Sequence, residues 1–309
     1  MGLIKDIREI ISEKRQQKEL EFNFNELKLQ IEEYKKCYFE EVKNFKGEHT
    51  HFAKAEIEDK ILSKIEENEK ILSVLTIDTK CNLGMLSAEV GLDNVVSKVL
   101  DNYEISLQQD SKGNNLGMYC ANNKLEECVI KALDNKTASL QAQNGGLTMG
   151  MISAMRGLKN ATLKAIENKE CLTQQEKGTE WNIGMYAATY GIEDVVLQIL
   201  DNKEASLQVS SRNKNLGMYC AENGLVKATA KALILYDETE KQIDSNGETI
   251  WTGCYITGKF RNDVLAEISN IKNKSNGNKH SCDDNNTNIK TFEECDNNTI
   301  CDSEMEGGL

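Results

Sequence analysis

Asn115-Leu116-Gly117-Met118-Tyr119-Cys120-Ala121 decides how this chain is read, because its opening phrase returns at a fixed interval. Asn-Leu-Gly-Met stands at Asn82–Met85, Asn115–Met118 and Asn215–Met218, with the related strings Thr148-Met149-Gly150-Met151 and Asn182-Ile183-Gly184-Met185 between them. Successive starts are 33, 33, 34 and 33 residues apart, and a weaker copy, Thr249-Ile250-Trp251-Thr252, begins 34 further on. Nine residues past each start sits Gly91, Gly157, Gly191, Gly224 or Gly258, with Lys124 as the exception. A second phrase keeps the same register: Leu100-Asp101-Asn102, Leu133-Asp134-Asn135 and Leu200-Asp201-Asn202, continued by Ser106-Leu107-Gln108, Ser139-Leu140-Gln141 and Ser206-Leu207-Gln208. Two phrases in one register over five copies mark an internal structural repeat.

Each copy has a physical reading. Asn or Thr is a good N-cap for a short helix. Small residues such as Cys120-Ala121 and Ala187-Ala188 suit a close helix–helix approach. The glycine at the ninth offset tolerates the left-handed turn that ends the helix. Val95, Val96, Val99 and Leu100, or Val195, Val196, Ile199 and Leu200, then follow the spacing of a second amphipathic helix. About ten polar residues with one apolar position (Leu107, Leu140 or Leu207) predict a short loop, or finger, to the next unit. One such unit cannot bury its own apolar face, so the units must stack. The once-per-repeat methionines (Met85, Met118, Met151, Met185, Met218) are expected in or near the core.

Asp110-Ser111-Lys112-Gly113-Asn114-Asn115-Leu116-Gly117-Met118-Tyr119-Cys120-Ala121 resembles the ankyrin-repeat pattern D-x-x-G-x-T-P-L-H-x-A-A, and period and element order agree with it. The resemblance covers about Ala55 to Asn270. It departs uniformly in the T-P-L-H core, where an apolar residue replaces Pro, Gly replaces Leu and Met replaces His, so the family's usual Thr–His hydrogen bonding is not expected. The resemblance implies an all-α solenoid of helix-turn-helix-loop units that binds a protein through its concave face, made of finger tips and first helices. The expected organisation is a helical N-terminal segment at 1–54, the array at 55–270 and a disordered acidic tail at 271–309.

Composition agrees with this reading. The 309 residues contain no proline where average usage would place roughly fifteen. In the family's pattern Pro sits at the first helical turn; here Leu83, Leu116, Met149, Ile183, Leu216 and Ile250 hold that place. Helix initiation then rests on the Asn or Thr cap. A net charge of −13 argues against nucleic acid and anionic membrane surfaces as partners. No apolar run approaches a membrane span and no signal-peptide pattern is present, which predicts a cytoplasmic protein. An ankyrin-type effector that an intracellular bacterium secretes into a host cell is the alternative, with the acidic tail as export signal. None of the ten cysteines forms a Cys-x-x-Cys pair, so reduced thiols are expected.

At the N-terminal end, Met1–Gln17 predicts a short amphipathic helix and Asn25–Phe45 another, which cap the stack or pair with a partner. Glu58–Glu66 aligns with the second helix of a degenerate repeat whose first helix would lie in 35–54, and Ile71–Lys80 with its finger. Beyond His280, eight acidic residues stand against Lys290.

Candidate chemistry is sparse. His49 and His51 near Glu48, and His280 with Cys282, Cys295 and Cys301, are weak metal patterns, and neither is chosen. No phosphate loop, dinucleotide fingerprint or Ser-centred elbow occurs, so no enzyme activity and no cofactor are expected. The resemblance implies partner contacts at the finger tips (Ser111, Lys112, Asn114, Asn144, Thr179, Trp181, Ser211, Arg212, Lys214, Asn246) and on the first helices (Glu89, Asn122, Asn123, Met155, Arg156, Thr189, Tyr190, Glu222, Asn223). Lys112, Asn122, Asn123, Arg156, Trp181, Tyr190, Arg212 and Glu222 are the chosen contacts, with Trp181, Tyr190 and Arg156 foremost because Trp, Tyr and Arg dominate binding hot spots. The partner expected is a protein, bound by a monomer.

Overall fold

A computed structural model describes the backbone of residues 2–43, 48–252, 255–256 and 258–277, and the side chains of 12–36, 53–252, 255–256 and 258–274. Two helices lead the chain, α1 (Gly2–Lys43) and α2 (Glu48–Glu67). Five repeats follow, each with a first helix, a second helix and a third, shorter one. Repeat 1 has α3 (Leu83–Glu89), α4 (Asp93–Leu100) and α5 (Tyr103–Ser106); repeat 2 has α6 (Leu116–Asn122), α7 (Glu126–Leu133) and α8 (Lys136–Leu140). Repeat 3 has α9 (Met149–Met155), α10 (Lys159–Ile166) and α11 (Lys169–Thr173); repeat 4 has α12 (Ile183–Thr189), α13 (Glu193–Ile199) and α14 (Lys203–Leu207). Repeat 5 has α15 (Leu216–Glu222), α16 (Val226–Leu235) and α17 (Asp237–Lys241), and α18 (Gly258–Gly277) closes the described chain. Consecutive first helices pack side by side in one layer and consecutive second helices in another. The chain divides into two compact units, Met1–Ser269, which holds the array, and Asn270–Leu309, of which the last turns of α18 are described.

The caps fall where the sequence places them. The side chains of Asn82, Asn115, Thr148, Asn182 and Asn215 accept a hydrogen bond from the N–H of Met85, Met118, Met151, Met185 and Met218. All five methionines are fully buried, as expected of a core series. Gly91, Gly157, Gly191 and Gly224 adopt φ values of 70–77° at the ninth offset, and Lys124 takes the same left-handed conformation at φ 60°.

The altered tetrapeptide is a stacking device. A Cβ placed on Gly150 would lie 2.8 Å from Ile183 Cδ1 of the next repeat and 2.9 Å from Ala165 Cβ of its own second helix. A Cβ on Gly84 would meet Leu116 Cδ2 at 2.9 Å, and one on Gly184 would meet Leu216 Cδ2 at 3.1 Å. Each glycine is therefore a hole, and the apolar residue standing where the family has Pro is the knob from the following repeat. The two departures from the pattern compensate each other: removing the Leu side chain makes room for the neighbour's larger residue, and the close fit keeps interior density.

Polar groups tie the same joints. Asn115 Nδ2 donates to Ala138 O and Gln141 Oε1 (both 2.9 Å), and Gln141 Nε2 donates back to Leu107 O in the preceding repeat (2.9 Å). Asn182 repeats the pattern on Ala205 O and Gln208 Oε1 (both 2.8 Å), with Gln208 Nε2 on Thr173 O (2.8 Å). The second helices begin after a Leu or Ile that offers no side-chain cap. For three of them the preceding unit supplies the cap: Glu58 to Asn94 N (3.0 Å), Glu126 to Asn160 N (2.8 Å) and Glu193 to Lys227 N (2.9 Å). These carboxylates sit at helix N-termini, where the helix dipole also favours them.

Three expectations are corrected. The two N-terminal helices are one continuous helix, α1, whose Leu20, Phe24, Leu27, Ile31 and Tyr34 bury a single stripe; no Gly or Pro interrupts residues 18–24, so the polar stretch remains helical. Residues 35–54 consequently hold the end of α1 and the start of α2 rather than a separate first helix. Within the linking segments, the residues expected as loop form the third helices, capped by Asn102, Asn135, Asn168 and Asn202. The weak copy at Thr249 forms a turn rather than a helix, although Ile250 is fully buried. The acidic tail beyond residue 277 and its His–Cys cluster lie outside the described residues.

Candidate partner-binding face

Each finger is a tight turn built around its first residue. In Asp110–Asn114, Asp110 Oδ1 accepts from the N–H of Lys112 (2.8 Å) and of Asn114 (2.7 Å), and Gly113 takes the positive φ (83°) that closes the turn. Asp244 organises Asp244–Glu248 in the same way. Neighbouring fingers are stitched by single backbone bonds: Ser111 N to Thr79 O, Asn144 N to Lys112 O, Lys177 N to Gly145 O, Ser211 N to Thr179 O and Ser245 N to Arg212 O, all 2.8–3.0 Å.

Four tyrosines, three of them on first helices, anchor finger roots. Tyr119 Oη donates to Asp110 (2.8 Å), Tyr186 to Glu176 (2.6 Å), Tyr219 to Ser210 Oγ (3.1 Å) and Tyr255 to Asp244 (2.6 Å). Burial pushes the Asp110 and Asp244 carboxyls up, but the hydrogen bonds they accept outweigh it and hold both below the usual carboxylate range. Burial, then the nearby carboxylates, raises the Tyr186 and Tyr255 hydroxyls far above the ordinary phenol value.

The two longer turns, Thr76–Cys81 and Glu176–Trp181, each carry a non-glycine at positive φ, Lys80 (61°) and Glu180 (56°). The added residue in the second turn is what makes the 34-residue spacing. Trp181 lies edge-on between Tyr186 (5.0 Å between ring centroids) and Tyr219 (4.9 Å). Beside it, Lys214 is buried: its Nζ lies 4.9 Å from the Tyr255 ring centre and bonds both Glu222 oxygens at 3.1–3.2 Å. An aromatic and ionic cluster thus spans the finger roots and first helices of repeats 4 and 5.

The sequence-chosen contacts divide by exposure. Lys112, Asn122, Asn123, Arg156 and Arg212 are exposed; Tyr190 stands 51% exposed at the end of α12, and Glu222 presents a half-exposed carboxylate. Arg156 reaches across to Asn122 (Nη2 to Oδ1, 2.9 Å), joining repeats 2 and 3. Trp181 is half-buried and packed in its joint, Met155 and Thr189 are half-buried, and Lys214, expected at a tip, is inside. Tyr119, Tyr186, Tyr219 and Tyr255 were missed as a set; the Asp, Glu or Ser that each one bonds lies nine to eleven residues upstream, and only the turn brings it near. Among the described residues no group of three or more His, Cys, Asp or Glu side chains is arranged to hold a metal, and no helix is long and apolar enough to cross a membrane.

No family model matches the chain, and no curated protein matches it in sequence. Its similarities are structural. The ankyrin repeat domain of Bcl-3, a member of the IkappaB family, superposes with a TM-score of 0.52 and 11% identity over 67% of this chain and 91% of that domain. A chain from the complex of the Bd0816 predatory endopeptidase of Bdellovibrio bacteriovorus with the immunity protein Bd3460 matches more loosely, with a TM-score of 0.44 and 19% identity over 64% of this chain and 97% of its own. Period, helix order, capped first helices and the Bcl-3 superposition agree that the chain has the ankyrin-repeat solenoid fold.

Proposed function

We propose that the chain is a protein-binding scaffold that presents a rigid face of finger tips and first helices to a protein partner and acts by binding rather than by catalysis. The observation that carries this reading is the junction of repeats 4 and 5. There Trp181, Tyr186 and Tyr219 interlock, while Tyr190, Arg212 and the Glu222 carboxylate remain at the surface. A firmly packed aromatic base beneath exposed Tyr, Arg and acid matches the composition and arrangement of binding hot spots. The stitched fingers and the Asn–Gln bonds reduce the ordering cost that binding would otherwise carry. The ankyrin domain of Bcl-3 lends the analogy of fold only.

Because Trp181 packs within its joint, the test uses surface positions. Affinity capture is compared between wild type and a Tyr190→Ala, Arg212→Glu, Arg156→Ala variant whose thermal midpoint matches wild type. Loss of a specifically captured protein supports this face. Capture unchanged in the folded variant sinks it.

A further inference from the structure

The finger tips form one ribbon of backbone. Thr79 O accepts from Ser111 N, Lys112 O from Asn144 N, Gly145 O from Lys177 N, Thr179 O from Ser211 N and Arg212 O from Ser245 N, so six consecutive fingers are tied edge to edge. Four exposed cations ride on this ribbon: Lys80, Lys112, Lys177 and Arg212. The tips Asn144-Gly145 and Ser245-Asn246 are uncharged. Among the described residues no ion pair engages any of the four cations. The acids at the finger roots are already taken. Asp110 and Asp244 accept from backbone N–H groups and a tyrosine, and Glu176 accepts from Tyr186 and Thr179. On the first helices, Glu89 and Glu222 are ion-paired with Lys35 and Lys214. Exposed acid on the ribbon is confined to Asp78 and Glu180, so its surface runs positive in a chain of net charge −13. The second helices differ: there Lys131, Lys164 and Lys231 each hold an aspartate of the preceding repeat, Asp101, Asp134 and Asp201.

We propose that this row of cations recognises an extended acidic segment of the protein partner, one carboxylate to each cation; the inference rests on the scaffold reading above and names the chemistry of its partner. Neighbouring helices of a stack lie about 10 Å apart and an extended chain advances about 3.3 Å per residue, so one finger corresponds to roughly three partner residues. Lys80 and Lys112 stand on neighbouring fingers, Lys177 two fingers further and Arg212 one beyond that. The matching acids are therefore about three, six and three residues apart, at positions 1, 4, 10 and 13 of the segment. The backbone bonds between tips fix this spacing before the partner arrives, which lowers the ordering cost of binding. Exposed ion pairs are individually weak and screened by salt, so the row sets the register and approach of the partner more than it holds it. Nucleic acid fits this row less well. It carries a phosphate at every nucleotide, whereas the cations stand one or two fingers apart, and the acids elsewhere on the chain repel it.

The test is fluorescence anisotropy of the full chain with labelled probe peptides. Each peptide has about 13 residues of Ser and Ala with four Glu, placed either at positions 1, 4, 10 and 13 or together in the first four positions. At about 20 mM salt the spaced peptide should bind about fivefold tighter than the clustered one or better, and the preference should shrink at about 200 mM. Lys80→Glu with Lys177→Glu should weaken binding of the spaced peptide about tenfold, and Lys80→Arg with Lys177→Arg should retain it, both variants keeping the thermal midpoint of wild type. Equal affinity for the two peptides overturns the proposal, as does binding indifferent to Lys80→Glu with Lys177→Glu. Tighter binding of an oligothymidylate of the same length would assign the row to nucleic acid and overturn it as well. Neither Lys80 nor Lys177 is changed in the affinity-capture variant, so loss of capture there without a peptide preference here overturns the acidic partner and leaves the scaffold reading standing.

Discussion

Repeats 3 and 4 share a fold and part at three side chains that form its polar ties. In repeat 4, Asn182 caps α12 through its oxygen and uses its amide nitrogen on Ala205 O and Gln208 Oε1. In repeat 3 the same place holds Thr148, whose hydroxyl accepts a longer bond from Met151 N (3.4 Å) and which has no amide nitrogen, and Gln174 Oε1 is buried without a partner. Repeat 4 fastens its finger with Tyr186 on Glu176; repeat 3 has Ile152 where the tyrosine would be and Gln143 where the acid would be. The difference separates two kinds of adhesion. Both repeats have the glycine hole and the apolar knob, which repeats 1 and 2 share, whereas Gly217 of repeat 5 faces Thr239 instead. The Asn–Gln amide bond and the tyrosine tie are optional: repeat 3 lacks both and keeps only the bond from Gln174 Nε2 to Leu140 O (3.0 Å).

Filling a hole should do the most damage. Gly150→Leu forces a branched side chain against Ile183 and Ala165 and should cost about 3 kcal/mol in urea denaturation. Gly150→Ala combined with Ile183→Val should cost less than the sum of the two single changes, because trimming the knob relieves the added methyl. Next is Asn182→Ala, which removes a cap and strands Gln208 Oε1; about 2 kcal/mol is expected. Asn115→Ala should behave alike. Its loss exceeds the roughly 1 kcal/mol of a simple cap because its nitrogen also bonds Ala138 O and Gln141.

The tyrosine ties give a pH signature. Asp110 and Asp244 titrate below the usual range in the folded chain, so their contribution is complete above about pH 4 and is lost as pH falls through their lowered values. Asp110→Asn should flatten the acid limb of stability measured from pH 5 to 2. At the other end, the raised tyrosines Tyr186 and Tyr255 contribute fully below about pH 10 and lose that contribution as the pH rises further. Tyr186→Phe should reduce the alkaline loss, and hydrogen exchange should show repeat 3 least affected by alkali. An unaltered alkaline limb in Tyr186→Phe would break this part of the contrast. Smallest of all, Lys124→Gly should stabilise repeat 2 by about 0.5 kcal/mol, since Lys124 holds the left-handed ninth-offset position that glycine fills in the other repeats.

Much of this architecture was legible because it repeats. The 33-residue step, the Asn caps and the ninth-offset glycines recur in the chain and map directly onto helix starts and stops. Lys124 shows the strength of that register, as the backbone imposes the glycine conformation on a lysine. What escaped reading was pairwise. The Leu-Asp-Asn phrase was visible, but a helix of four or five residues has too few turns to show a period, so its Asn passed as loop. Gly117 and Gly150 are single letters whose meaning depends on Met149 and Ile183, 32 and 33 residues later. On the binding face, the exposed Tyr190, Arg156 and Arg212 followed from the repeat pattern. Burial of Lys214 did not, because it depends on Glu222 and Tyr255, which the turn and the end of the array bring together.

The most direct test converts repeat 3 into repeat 4 at one residue. Thr148→Asn keeps the cap and places an amide nitrogen at the same offsets, 23 and 26 residues from Cys171 O and Gln174 Oε1, that serve Asn115 and Asn182. Satisfying the stranded oxygen should raise the free energy of urea unfolding by about 1 kcal/mol, with an unchanged slope. A midpoint that stays put or falls would mean that the Asn–Gln bonds do not hold the repeats together as described.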